Sequence, residues 1–130
     1  MNPRTPGFTG RYIVVADEDR SVVALVIETL LSDGHAVFQT HDGRSAIELA
    51  LGLRRCDLVI SNTRVGGEPG VALIQKLRLR MPAVPFLYLA NSGRSTPELE
   101  QQLPKGVVIL REPFTAEELR AAVDGIFKLS

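Results

Sequence analysis

Two points of this chain carry residues whose types and spacing could do chemistry. Asp17-Glu18-Asp19 follows at once on a short apolar run, Tyr12 to Ala16. Asn62 closes a second apolar run, Leu58-Val59-Ile60-Ser61, and a stretch with Gly66, Gly67, Pro69 and Gly70 comes next. Carboxylate and amide oxygens are the hard donors that magnesium accepts. Asp17, Glu18 and Asn62 are therefore a candidate cation site, weakened because Asn62 brings no charge. The acidic run also has a plainer use, since negative charge at a helix N-terminus is favourable by about 0.3–1 kcal/mol per group.

The other reactive side chains offer less. Cys56 is the single cysteine, so no internal disulfide can form. It has no evident base partner in sequence and reads as a small core hydrophobe. His35 and His41 are too far from any second ligand in sequence to suggest a metal site, and both are expected in loops around a strand. Gly66-Gly67 belongs to neither Gly-x-x-x-x-Gly-Lys-Ser/Thr nor Gly-x-Gly-x-x-Gly, so no nucleotide loop is indicated. No nucleophile–base pair stands out, and an enzyme is not expected.

The elements that must position these residues follow from periodicity. Tyr12 to Ala16, Ala36 to Thr40, Leu58 to Ser61, Pro85 to Leu89 and Val107 to Leu110 read as strands, with Asn62 at the tip of the third. The third is a continuous apolar run, as a strand buried on both faces should be. Between them Ser21 to Ser32, Ser45 to Leu53, Val71 to Leu79, a short segment begun by Ser95-Thr96-Pro97-Glu98, and Thr115 to about Lys128 read as helices. Asp19 or Ser21 is expected to cap the first. Ser95 with Glu98, and Thr115 with Glu118, are capping boxes; Pro104 and Gly106 close the fourth helix early. Ala90 to Gly93 and the stretch from Gly66 to Gly70 are expected as loops. Alternation of five strands with five helices through short connections implies an α/β fold, a (βα)5 doubly wound parallel sheet in three layers.

Composition sets bounds. The chain has 130 residues, 45% of them hydrophobic, the usual size of one domain with a real core. Fifteen basic residues balance fifteen acidic ones, which argues against a nucleic-acid footprint. No apolar run approaches the roughly twenty residues of a membrane span. Residues 1–10 carry prolines, glycines and polar residues without the apolar core of a signal peptide. A flexible leader over 1–10, one domain over 11–130 and a cytoplasmic location are the expectations.

The order of motifs resembles the receiver domain of two-component response regulators, over nearly everything from Arg11 to Leu129. In that family an acidic pair follows the first strand, as Asp17-Glu18 does. The third strand ends in the aspartate that takes the phosphoryl group, whereas this chain reads Asp57-Leu58-Val59-Ile60-Ser61-Asn62. The fourth strand ends in threonine or serine, here Ala90. Lys-Pro-Phe follows the fifth strand, here Glu112-Pro113-Phe114. Gly34-His35-Ala36-Val37 and Asp42-Gly43 match two further family segments.

The resemblance implies a flavodoxin-like receiver fold and a degenerate phosphoacceptor pocket of Asp17, Glu18, Asn62, Ala90 and Glu112. The family aspartate attacks phosphorus and forms an acyl phosphate; an amide oxygen is a poor nucleophile. The family lysine neutralises phosphoryl charge; Glu112 repels it, or pairs with Arg111 or Arg94. Ala90 has no hydroxyl to offer a phosphoryl oxygen. The implied function is a phosphorylation-independent interaction module in phosphorelay signalling. No cofactor is required, and Mg2+ binds weakly at Asp17, Glu18 and Asn62. The partners are a histidine kinase or another signalling protein, or a second copy through the fourth helix, fifth strand and fifth helix. Two alternatives stay open: a switch phosphorylated elsewhere, Asp17 being the nearest carboxylate, and a small-molecule-binding pocket.

Overall fold

The computed structural model of the chain describes residues 10–129. The leader expected over 1–10 thus lies, except for Gly10, outside the described residues. The elements run β1 (Tyr12–Ala16), α1 (Arg20–Ser32), β2 (Ala36–Thr40), α2 (Gly43–Gly52), β3 (Leu58–Asn62), α3 (Gly70–Arg80), β4 (Phe86–Ala90), α4 (Pro97–Glu100), β5 (Val108–Arg111) and α5 (Ala116–Leu129). The five strands form one parallel sheet in the order β2-β1-β3-β4-β5. This is the doubly wound α/β fold expected from the alternation, in the flavodoxin-like order.

Burial explains which strand sits where. Every residue of β3 and β4 is buried, as their continuous apolar runs require of strands covered on both faces. The edge strand β5 alternates half-buried with exposed residues. Side chains alternate across the sheet and divide the core in two. Ile13, Val15, Leu58, Ile60, Leu87 and Leu89 pack with Val26 and Leu30 of α1 and Leu119, Val123 and Ile126 of α5. Val14, Val59, Phe86 and Tyr88 pack on the opposite face with Ala46 and Ala50 of α2 and Ile74 and Leu77 of α3.

Local hydrogen bonds account for most helix starts. Asp19 Oδ1 accepts from the backbone N–H of Ser21 at 3.0 Å and of Val22 at 3.4 Å, capping α1. Asp42 caps α2 through the Ser45 N–H at 2.8 Å. Thr115 and Glu118 form the expected reciprocal box at α5. At α4 the cap is Thr96, whose Oγ1 accepts from the Leu99 N–H at 3.2 Å, and not Ser95. The Ser95 hydroxyl is drawn into a side-chain cluster instead.

Two stretches expected as loops are more ordered. Ala90 completes β4, in register with Arg111. After Asn62 the chain forms a small antiparallel hairpin, Arg64–Val65 against Glu68–Pro69. Its turn residues, Gly66 and Gly67, have φ of 58° and 82°, the doubly positive pattern of a tight hairpin turn. Gly66 also packs on the start of α2: a Cβ there would lie 2.6 Å from Asp42 Cβ. Among the described residues, no helix is long and apolar enough to cross a membrane.

Candidate functional site at the carboxyl ends of the strands

From β1 the chain passes to β2 on one side and later to β3 on the other. The crevice beyond the carboxyl ends of β1 and β3 is therefore the topological switch point, where such sheets place their sites. Asp17 lies directly after β1 and Asn62 at the tip of β3, so the pairing of these strands, Ala16 opposite Ser61, brings them together. Asn62 Nδ2 donates to both Asp17 oxygens, at 2.8 and 2.9 Å. Its Oδ1 accepts from the Thr63 N–H at 2.7 Å, which leaves the amide one satisfied orientation. Asp17 also accepts from the Asp19 N–H at 2.8 Å.

Asp17 is wholly buried, and burial pushes its carboxyl up to about 6. The bonds from Asp19 and Asn62 act against this, and the charges of Asp19 and Glu18 reinforce it. A buried carboxylate needs a counter-charge or strong donors. Here the amide hydrogens of Asn62 stand where a cation could.

Glu18 points elsewhere. Its Oε1 accepts from the Gly67 N–H of the hairpin at 2.8 Å, and its Oε2 lies 3.6 Å from Arg94 Nη1. The expected donor set is therefore not assembled. Asp17 faces amide hydrogens, the Asn62 oxygen faces a backbone N–H, and Glu18 is turned to the hairpin. In this arrangement the three side chains do not turn their oxygens to one point. Among the described residues, no group of three or more His, Cys, Asp or Glu could hold a metal.

Glu112 follows β5, and its N–H donates to Ala90 O at 2.9 Å. It pairs with neither expected arginine, because Arg111 binds Glu100 and Arg94 lies beside Glu18. Its Oε2 is closed off from water and accepts no hydrogen bond from the described residues. Burial, and then the charges of Asp17 and Asp19, raise its carboxyl above the ordinary glutamate range. The structure thus gathers carboxyl groups where the resemblance implies a lysine in the family. Ala90 is buried and has no hydroxyl.

Several residues here had no signal in the sequence. The Thr63 hydroxyl donates to Leu89 O and accepts from the Asn91 N–H, both at 2.7 Å, and so ties the tip of β3 to β4. Gly70 sits so close to β3 that a Cβ would lie 1.8 Å from Asn62 O. Farther along the sheet, the Tyr88 hydroxyl meets Ser95 Oγ at 2.9 Å, and Ser95 donates to Glu100 at 2.7 Å. Arg111 grips both Glu100 oxygens, at 2.7 and 3.1 Å. This cluster fastens α4 to β4 and β5.

Of the remaining candidates, Asp57, His35 and Cys56 lie apart, and His41 approaches Asp17. Asp57 is at the opposite end of β3, accepting from the Tyr12 N–H and pairing with Arg55. His35 Nδ1 accepts from the Arg11 N–H, and His41 reaches the Asp17 carbonyl oxygen. Burial pushes the Cys56 thiol up to about 11, so it carries almost no thiolate at neutral pH.

A model of the response regulator receiver domain matches residues 13–124. The chain belongs to this family. The uncharacterized transcriptional regulatory protein YrkP of Bacillus subtilis (strain 168) is 31% identical to the receiver over 111 residues, 85% of this chain and 47% of YrkP. The transcriptional regulatory protein GlrR of Escherichia coli (strain K12) is 26% identical over 120 residues, 92% of this chain and 27% of GlrR. The receiver therefore spans about half the length of the first relative and about a quarter of the second. The solved chemotaxis response regulator CheY4 of Vibrio cholerae is similar with a TM-score of 0.78 at 26% identity, over 91% of this chain and 99% of that one.

Proposed function

We propose that this receiver domain of two-component signalling takes no phosphoryl group at the usual position and works as a phosphorylation-independent protein-interaction module. One observation supports the reading: the residue at the tip of β3 is Asn62, and its amide nitrogen is bonded to both oxygens of Asp17. An amide so placed is no nucleophile towards phosphorus. It also satisfies the carboxylate that an incoming metal–phosphate pair would need. Glu112, with its oxygen buried and unpaired, sets like charge or a neutral acid where neutralisation is required. Asp17 is a poor substitute acceptor, being fully buried with both oxygens engaged.

The interaction surface follows from the same reading. The cluster of Tyr88, Ser95, Glu100 and Arg111 holds α4 against the sheet through hydrogen bonds that do not involve Asn62. The face of α4, β5 and α5 is thereby presented in one arrangement. A histidine kinase, another signalling protein or a second copy is the partner class for it. Chemical turnover and nucleic-acid binding form no part of this function.

The test is incubation with acetyl phosphate and magnesium, followed by intact-mass measurement. The expected result is an unmodified chain. A stoichiometric phosphoryl adduct would overturn the proposal, and its loss on Asp17→Asn would move the acceptor to Asp17.

A further inference from the structure

Glu112 also lines a groove that the pocket around Asn62 does not use. The groove holds about 370 Å³ between the first turns of α1 and the loop after β5. Its walls are apolar: Val22 and Leu25 from one side, Pro113 and Phe114 from the other. Ser21 and Ser92, both exposed, stand at its rim. Glu112 is the one charged group among these residues.

Among the described residues, no basic side chain pairs with Glu112. Arg94 lies beside Glu18, Arg111 binds Glu100 and Arg120 binds Asp33. Glu112 Oε2 is covered, so a counter-charge must come to the carboxylate's other oxygen, Oε1, as a charge-assisted hydrogen bond. Asp17 and Asp19 add negative potential at the same place. An anion is repelled here, and a neutral apolar group leaves the carboxylate unanswered. A cation on an apolar stem answers both the walls and the charge.

We propose that this groove receives a lysine side chain of a protein partner, its methylenes lying on Val22, Leu25 and Phe114 and its ammonium on the Glu112 carboxylate. Lysine fits better than arginine. A guanidinium favours two carboxylate oxygens side by side, and Glu112 Oε2 is covered, whereas a compact ammonium needs one. The exposed rim lets a partner's main chain pass over the groove while one side chain enters. The inference rests on the domain being an interaction module and names the chemistry of its partner.

The experiment titrates the full chain, followed by methyl and amide NMR. Four probes are used: n-butylammonium, n-butanol, and a blocked alanine-leucine helical peptide with one central lysine or with norleucine in its place. Butylammonium is expected to shift Val22, Leu25 and Phe114 saturably. Butanol should bind at least about tenfold more weakly, because it cannot make a charge-assisted bond. The lysine peptide should bind at least about tenfold more tightly than butylammonium and the norleucine peptide. Glu112→Gln should reduce butylammonium to the level of butanol, and Glu112→Lys should abolish binding. Ser92→Lys, at an exposed rim position that leaves the core untouched, should fill the groove with its own tethered lysine and also abolish binding.

Equal binding of butanol, unchanged binding to Glu112→Gln, or an absence of saturable shifts overturns the proposal. So does a lysine peptide no tighter than free amine, which would make this a small-amine site. A phosphoryl adduct in the acetyl phosphate experiment overturns the interaction-module reading while leaving the titration readable on its own, so the two failures are distinguishable.

Discussion

Replacing Asn62 with aspartate tests the reading of the pocket most directly. In the wild type Asn62 Nδ2 gives Asp17 two hydrogen bonds, at 2.8 and 2.9 Å, inside a site where the residues are 3% and 0% exposed. The variant keeps the shape and the bond from the Thr63 N–H but turns both donors into acceptors. Each bond to a charged group contributes about 1.5–3 kcal/mol, and the new carboxylate adds repulsion from Asp17. A loss of at least about 3 kcal/mol is expected at pH 8. For a domain of this size that is about 10 °C in unfolding temperature. At pH 4 much of the loss should vanish, because protonated carboxyls can bond each other. Thermal unfolding followed by circular dichroism at both pH values, with and without magnesium, is the assay. Magnesium should raise the unfolding temperature of Asn62→Asp, where two carboxylates face one site, and leave the wild type unmoved. Acetyl phosphate should still label the variant poorly, since Glu112 and Ala90 remain. A variant within about 1 kcal/mol of wild type at pH 8 without magnesium would refute the idea that the amide compensates Asp17.

Three further outcomes are expected. Wild-type stability should fall as pH rises from about 4 to above 6: the folded chain holds the Asp17 proton to about 6 against the ordinary 3.8, so Asp17's contribution is full below the lower value and lost above the upper. At about 1.4 kcal/mol per pH unit the change is about 3 kcal/mol, and denaturant unfolding from pH 4 to 8 measures it; a flat profile speaks against a desolvated Asp17. Gly70→Ala should cost more than about 3 kcal/mol in the same measurement, as its Cβ would collide with Asn62 O at 1.8 Å. Arg111→Ala should leave the global unfolding midpoint nearly unchanged, since the Arg111 side chain is 67% exposed and exposed ion pairs add little, yet hydrogen exchange over residues 95–103 should quicken while that of β1 and β3 stays slow.

Much of this could be read along the chain. The apolar runs of β1, β3 and β4, the acidic stretch after β1, and the amide at the tip of β3 are all local statements, and the parallel sheet follows from their alternation. The capping of α5 was equally plain, because Thr115 and Glu118 bond within one turn. The capping of α4 was not: Ser95 and Thr96 are alike as local caps, and the Ser95 hydroxyl is claimed by Tyr88, which the sheet places beside it, and by Glu100 of α4. The hairpin after Asn62 was hidden for a similar reason. Gly66 and Gly67 permit a tight turn, but the contacts with Glu18 and Asp42 that hold it come from residues 24 or more positions away.

By itself, then, the sequence determined the order of the elements, the α/β sheet and the amide, Asn62, at the tip of β3, because each depends on residue type and periodicity. Only the tertiary structure decided how the pocket is wired. It turned the amide nitrogen to Asp17, sent Glu18 to Gly67, left Glu112 without an arginine, and closed β3 to β4 through Thr63. These choices concern side-chain direction among partners distant in sequence, where competing bonds differ by about 1 kcal/mol. Such differences are resolved only when the strands are packed and water is excluded.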